Sequence, residues 1–155
     1  MIAMTQEVQE KGVTPRKYRK HLKEINLAAA KELGEHFHQV NMPRRFTKSG
    51  AIMLNYAARK GNYLKRKRKE KGHEDPIVFS GFTKRMVLSV RDVRASGTSK
   101  KWVSRVVLRA RHVNRFKNPK INLADEMTRV GPREYGPLQR VFEKAHTDQR
   151  DKIKE

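Results

Sequence analysis

The sequence predicts an α+β fold with a long N-terminal helix, a second basic helix, an antiparallel β-hairpin in a small sheet, and a C-terminal helix. Three observations support this class. Apolar residues recur every three or four positions early in the chain, alternate with polar residues later, and recur helically again after a Gly-Pro pair near the end. A length of 155 residues suits one domain. We expect that domain to span residues 14–150, between a flexible lead-in (1–13) and a charged tail (151–155).

The first helix is expected to begin at Thr14, a residue type common at helix N-caps, with Pro15 in the first helical position. Its apolar positions form one stripe, which indicates a helix that packs along one side. They are Tyr18, Leu22, Ile25, Ala29, Leu33, Phe37 and Val40. Pro43 is expected to end it, because the residue before a proline disfavours the helical conformation.

The second helix is expected to begin near Ser49. Gly61 leaves room for a bend or an early end, because glycine in a helix costs about 1 kcal/mol relative to alanine. The basic run that follows, at about residues 65–73, is expected to extend the helix into solvent or to leave the body as an arm. Tyr56 and Tyr63 are seven positions apart, a helical spacing that favours packing in the core.

Alternation between apolar and polar residues predicts two strands, over residues 86–91 and 102–111. The glycine-containing loop 96–99 between them indicates an antiparallel hairpin. In the second strand Trp102, Ser104 and Val106 share one face. A short further strand is expected over residues 127–130, and the C-terminal helix over Gly131–Pro132 onward. That helix carries the apolar stripe Leu138, Val141, Phe142 and Ala145, and its end from residue 147 is expected to fray.

Positive charge is concentrated in the middle of the chain. The 37 basic and 16 acidic residues give a net charge of +21. Residues 41–72 contain 11 basic and 1 acidic residue, and residues 73–125 contain 12 and 4. Such a density predicts contact with a polyanion or an acidic protein surface, although excess charge can also serve solubility alone. The predicted contact residues are Arg44, Arg45, Lys48, Lys65, Arg66, Lys67, Arg68, Lys69 and Lys71.

The sequence contains no pattern that indicates an enzyme. It has no cysteine, so thiolate metal sites and disulfides are excluded. His36 and His38 are two positions apart, which on a helix separates them by about 200° and prevents them from sharing a metal. Phosphate-binding glycine loops, His-Glu-x-x-His and Gly-x-Ser-x-Gly are absent. We therefore predict no catalytic residue, metal, cofactor or small-molecule substrate. Apolar runs of only a few residues predict no membrane contact.

The order of elements, the basic run 59–71 and the segment Ser80-Gly81-Phe82-Thr83-Lys84 resemble the neck proteins of tailed bacteriophages, the head–tail joining and tail-completion family. In that family a Ser/Thr-Gly pair is followed directly by a hydrophobic and a basic residue before a strand. Here the basic residue comes one position later. The segment 130–134, which opens the last helix, is also similar.

This resemblance implies a structural, non-catalytic subunit of the virion, made in the host cytoplasm. The subunit would form a homo-oligomeric ring that joins the portal or adaptor to tail proteins. Its basic middle would meet the DNA in the channel or acidic surfaces of those neighbours. The basic composition equally favours a ribosomal-type or other RNA- or DNA-binding protein. A nuclease is a weaker alternative, because acidic residues are scarce in the basic region.

Overall fold

An antiparallel sheet flanked by helices confirms the predicted α+β class. The computed structural model describes residues 2–7, 16–77, 81–89, 92–107 and 122–154. Within these residues the sheet has the order β1-β3-β2. Its strands are β1 (Ile2–Glu7), β2 (Asp92–Gly97) and β3 (Lys101–Val107). β2 and β3 form an antiparallel hairpin, as predicted, with Arg94 opposite Arg105. Its first strand is residues 92–97, however, and not the predicted 86–91.

Two long helices, α1 (Arg16–His36) and α7 (Pro132–Lys154), form the helical layer. A π-helical turn, Phe37–Asn41, continues directly from α1. The shorter helices are α2 (Met42–Arg44), α3 (Lys48–Met53), α4 (Gly61–Lys71), α5 (Phe82–Ser89) and α6 (Leu123–Thr128).

The core lies where α1 packs against α7 and against the inner face of the sheet. Trp102 on β3 stacks on Phe142 of α7, with ring centroids 4.3 Å apart. Gly34 permits the close approach of α1 to the sheet, because a Cβ at this position would lie 2.4 Å from the Ser104 hydroxyl oxygen. Buried apolar residues predicted from the stripes and the strand face include Ala29, Leu33, Phe37, Trp102, Val106, Leu138, Phe142 and Ala145.

Near both ends of the chain, the described residues form more regular secondary structure than predicted. Residues 2–7 were expected to be part of a flexible lead-in, but they form β1, which pairs with β3. The helix α7 continues to Lys154, so the predicted fraying from residue 147 is wrong. The predicted helix start at Thr14 lies outside the described residues.

Two predicted strands lie partly in helices. Part of the first predicted strand lies in α5, where Val87 is buried and its carbonyl oxygen lies 2.9 Å from His38 Nε2. A short apolar run such as 86–88 fits a buried helix as well as a strand, so its periodicity does not decide between them. The strand expected over 127–130 is also wrong. Asn122 caps α6 there by accepting a hydrogen bond from the backbone N–H of Asp125, at 3.0 Å.

The helical boundaries between residues 40 and 61 also differ. Pro43 does not end the helical segment. It lies in the first turn of α2, where proline is tolerated because its missing N–H would have no intrahelical acceptor. Thr47, not Ser49, caps α3, since its hydroxyl oxygen accepts from Gly50 N–H at 3.1 Å. The second predicted helix does break before Gly61, which is the first residue of α4.

Candidate nucleic-acid interface

The basic run forms the second half of α4 rather than an arm. Six of the seven residues 65–71 are lysine or arginine. Gly72 ends the helix in the left-handed conformation, with φ of 71°, and its N–H bonds to the Arg68 carbonyl. Cations near a helix C-terminus interact favourably with the helix dipole. The sequence therefore places its densest charge where a helix tolerates it best.

One lysine of this run, Lys67, faces inward and fixes α4 to the body. Lys67 is 1% exposed, and its Nζ donates a hydrogen bond to the Asp75 carbonyl oxygen. The same Nζ lies 5.7 Å from the centroid of the Tyr63 ring. Burial lowers the pKa of Lys67, and the nearby Asp75 carboxylate only partly opposes this shift. Lys67 therefore does not lie on the outer surface of α4, which corrects its assignment to the binding surface.

The outer face of α4 is defined by Lys65, Arg66, Arg68 and Lys69. Successive helical residues are rotated by about 100°, so Lys65 and Lys69 each lie about 200° from Lys67, on the opposite side. Both are exposed, and neither has an acidic partner within the part of the chain that the structure describes. These two lysines therefore present uncompensated charge to solvent.

Each of the two arginines on the flanks of this face makes an exposed ion pair. Arg66 lies 3.6 Å from Glu70, and Arg68 lies 2.5 Å from Glu74. The arginine side chains are 62% and 70% exposed. Pairs of this kind contribute about 0–1 kcal/mol and are weakened by salt. They do not prevent either arginine from binding a phosphate.

Of the three predicted contact residues that precede α4 in the chain, two lie on the surface and one is buried. Arg44 is exposed, and Lys48 is exposed with its Nζ 3.5 Å from Glu74. Arg45 is fully buried, so its assignment to the binding surface is also corrected. Lys71, the last residue of α4, is exposed.

Arg45 instead forms the centre of a buried polar network with Glu134, in the first turn of α7. Its two terminal nitrogens donate to the two Glu134 carboxylate oxygens at 2.5 and 2.6 Å. They also donate to the carbonyl oxygens of Asn41, at 3.1 Å, and Arg129, at 2.8 Å. The Arg45 guanidinium lies 4.8 Å from the centroid of the Phe37 ring. The network therefore ties the π-helical turn and α2, which follow α1, to the start of α7.

Both carboxylate oxygens of Glu134 accept hydrogen bonds. Besides Arg45, Asn41 Nδ2 donates to it at 2.7 Å and the backbone N–H of Gly131 at 2.9 Å. Burial acts to raise the pKa of Glu134, but the hydrogen bonds from Arg45, Asn41 and Gly131 and the Arg45 charge outweigh burial and hold the pKa below its ordinary value of 4.5.

This pKa shift predicts acid destabilisation. Because the folded-state pKa is below 4.5, the carboxylate stabilises the fold fully above that pH and stops doing so as the pH falls through the folded-state pKa. Urea unfolding should show wild type more stable than Glu134→Gln at pH 7. The difference should shrink as the pH falls below about 4.5. A difference that stays constant down to pH 3 (about 1.5 units lower) would contradict this role.

A second buried pair supports the segment that leads into α4. Arg59 donates through two nitrogens to the two carboxylate oxygens of Glu126 on α6, one contact being 3.0 Å. The backbone N–H of Ala57 donates to the same carboxylate at 3.1 Å. Sequence reasoning missed both pairs. The one signal in the sequence was the position of Glu134 in a first helical turn, where the helix dipole favours an acid, and this does not indicate a buried partner.

An open pocket of about 560 Å³ lies between α3, α4 and the chain before α5. Its lining includes Ile52, which is 82% exposed, and both Tyr56 and Tyr63. The two tyrosines are half-buried and lie outside the buried core cluster, so their predicted core position is wrong. Cations and one acid also line this pocket: Lys48, Arg59, Lys67 and Glu74.

Among the described residues, no three His, Cys, Asp or Glu side chains are grouped so that they could hold a metal. No helix in that part of the chain is both long and apolar enough to cross a membrane. The sequence matches no protein-family model, no curated protein and no solved structure. A function is therefore inferred from the geometry above and from the resemblance of the sequence.

Proposed function

We propose that this chain is a structural subunit of a tailed-phage neck that holds the sugar–phosphate backbone of the DNA in the channel against the outer face of α4. One observation supports the nucleic-acid contact above all others. Lys65 and Lys69 point away from a helix that is anchored by a buried lysine, and neither is neutralised within the described residues. Fixed, uncompensated cations suit a partner with regularly spaced negative charges.

The chemistry of this face favours phosphate contacts over base recognition. Lysine and arginine side chains bind phosphates by charge and hydrogen bonds, whatever the sequence. The four residues that define the outer face include no aromatic ring to stack on a base and no amide to pair with adenine. The contact should therefore be independent of sequence, as a ring around a moving DNA duplex requires.

The salt dependence of duplex binding tests this contact. Each neutralised phosphate lowers the slope of log K against log salt by about 0.9. The four residues of the outer face together with Lys71 predict a slope of about −4 to −5 for a short DNA duplex of mixed sequence. Fluorescence anisotropy over a salt series measures it. A slope weaker than about −1, or tighter binding to an acidic protein surface such as a polyglutamate chain, would contradict the DNA contact.

The proposed role as a ring subunit of the phage neck is tested by a separate experiment. A ring subunit should form a closed cyclic oligomer in native mass spectrometry or in cryo-electron microscopy of the particle. A protein that is absent from purified virions would contradict the neck role, whatever its affinity for DNA.

A ribosomal-type or other RNA-binding role is the second candidate, and one observation favours it. Tyr56 and Tyr63 line an open pocket beside the basic helix. Aromatic side chains next to a basic groove are common where single strands bind. Comparison of a structured RNA with duplex DNA of equal length tests this candidate. At least tenfold preference for the RNA, about 1.4 kcal/mol, would favour the RNA-binding role over the neck role.

A further inference from the structure

The pocket between α3 and α4 meets the Arg68 flank of the outer face of α4, so one ligand can occupy both. Glu74 lines the pocket and lies 2.5 Å from Arg68, which belongs to the outer face. Lys48, in the same lining, lies 3.5 Å from Glu74. A nucleic-acid strand whose phosphates contact Arg68 and Lys48 therefore passes within reach of the pocket opening.

The size and lining of the pocket suit a planar, partly polar group. Its volume of about 560 Å³ lies within the usual range for ligand sites, about 300–1,000 Å³. Ile52 and Tyr63 supply apolar and aromatic surface, and Asn55 supplies an amide in the same lining. Base–aromatic stacking accepts every base, because each base has a π-face. A nucleobase thus matches this lining.

The charge at the pocket also favours a nucleotide. Lys48 lines it, and its side chain is 65% exposed. The acid in the lining, Glu74, is within 3.5 Å of Lys48 and 2.5 Å of Arg68, so two cations offset its charge. An anionic ligand is therefore attracted to this region.

We propose that this pocket takes one unpaired base of a single-stranded nucleic acid whose phosphates lie on the outer face of α4. The inference rests on the proposed phosphate contact and extends it, since a duplex keeps its bases paired and would use the outer face alone. Single strands would use both surfaces.

The test compares two fluorescein-labelled probes, an oligothymidylate of about 12 nucleotides, a length that such sites accommodate, and a mixed-sequence duplex of similar length. Tyr63→Leu keeps an apolar side chain at the position but removes the ring. It should weaken oligothymidylate binding about tenfold, as expected for the loss of one stacked base, and leave duplex binding unchanged.

Ile52→Ser should also weaken oligothymidylate binding and leave duplex binding unchanged. Ile52 is 82% exposed, so this variant does not depend on tolerance of the core. Tyr135→Leu is the matched control, because Tyr135 is 61% exposed on α7 and is not part of the pocket lining.

The outcomes separate the two proposals. Selective loss of oligothymidylate binding in both pocket variants, but not in Tyr135→Leu, supports the base pocket. Equal affinities of wild type and the pocket variants for oligothymidylate overturn it and leave the pocket to a protein segment. Equal weakening toward both probes also overturns it, since that result indicates a general effect on α4. If wild type binds neither probe, the proposed phosphate contact itself fails.

Discussion

Replacement of Glu134 with alanine is expected to lower the free energy of unfolding by about 3–5 kcal/mol, the usual cost of removing one partner of a buried ion pair. Arg45 is fully buried and Glu134 is 2% exposed. Without the carboxylate, the Arg45 charge stays buried with no counter-charge, and Asn41 and Gly131 each lose an acceptor. Urea unfolding monitored by circular dichroism and by Trp102 fluorescence measures the loss.

Two controls show whether the loss comes from the unpaired charge. The double variant Arg45→Met/Glu134→Leu replaces both partners with apolar groups and should recover most of the stability. Lys20→Ala breaks an exposed pair with Glu24, 4.0 Å away, and should change stability by less than about 0.5 kcal/mol. A Glu134→Ala protein as stable as Lys20→Ala would show that the Arg45–Glu134 pair does not hold α2 to the start of α7.

Helix packing was predictable from the sequence because periodicity records which side of a helix is buried. The stripes that contain Leu33 and Leu138 placed α1 and α7 correctly, and the alternation around Trp102 gave the buried face of β3. Each of these segments has an apolar pattern long enough to distinguish a period of about 3.6 from a period of 2.

Short segments were not predictable in the same way. The apolar run around Val87 is too short for its periodicity to distinguish a helix from a strand. Tertiary contacts, such as that between the Val87 carbonyl oxygen and His38, stabilise the helix. Residues 127 and 128 belong to a helix because Asn122 caps it, a signal that lies outside the apolar run itself. β1 forms because the edge of β3 is available for pairing. The sequence of residues 2–7 alone does not indicate this pairing.

The sequence identified the basic segment that forms α4, but not which of the predicted cations are exposed. The density of charge identified α4, yet Arg45 and Lys67 differ from their exposed neighbours only in what surrounds them. Each of them lies next to exposed cations in the sequence, so the composition of the segment does not distinguish a buried cation from an exposed one. The acids that pair with Arg59 and Arg45, Glu126 and Glu134, are more than 60 residues away in the chain. Sequence spacing therefore could not pair them.

Neutralisation of both outward lysines, Lys65→Gln/Lys69→Gln, is expected to have the largest effect on nucleic-acid binding. Each phosphate contact contributes about 1 to the salt slope, so the double variant should lose about 2 from the slope measured with duplex DNA. The affinity should fall at every salt concentration and for every sequence, because these contacts do not read bases. Since both side chains are exposed, stability should change by less than about 0.5 kcal/mol.

The most direct measurement compares Lys69→Gln with Lys67→Gln, two variants with the same net charge and the same change of residue type on one helix. Lys67 points to the opposite side of α4, and a helix is about 10–12 Å in diameter, more than the screening length of about 8 Å at physiological salt. Circular dichroism first confirms that each variant is folded, with Lys67→Met as the substitute if Lys67→Gln is not. Anisotropy titrations with duplex DNA should show weaker binding and a slope smaller by about 1 for Lys69→Gln, and wild-type binding for the Lys67 variant. Equal losses in the two would show that total charge, not an oriented face of α4, attracts the polyanion.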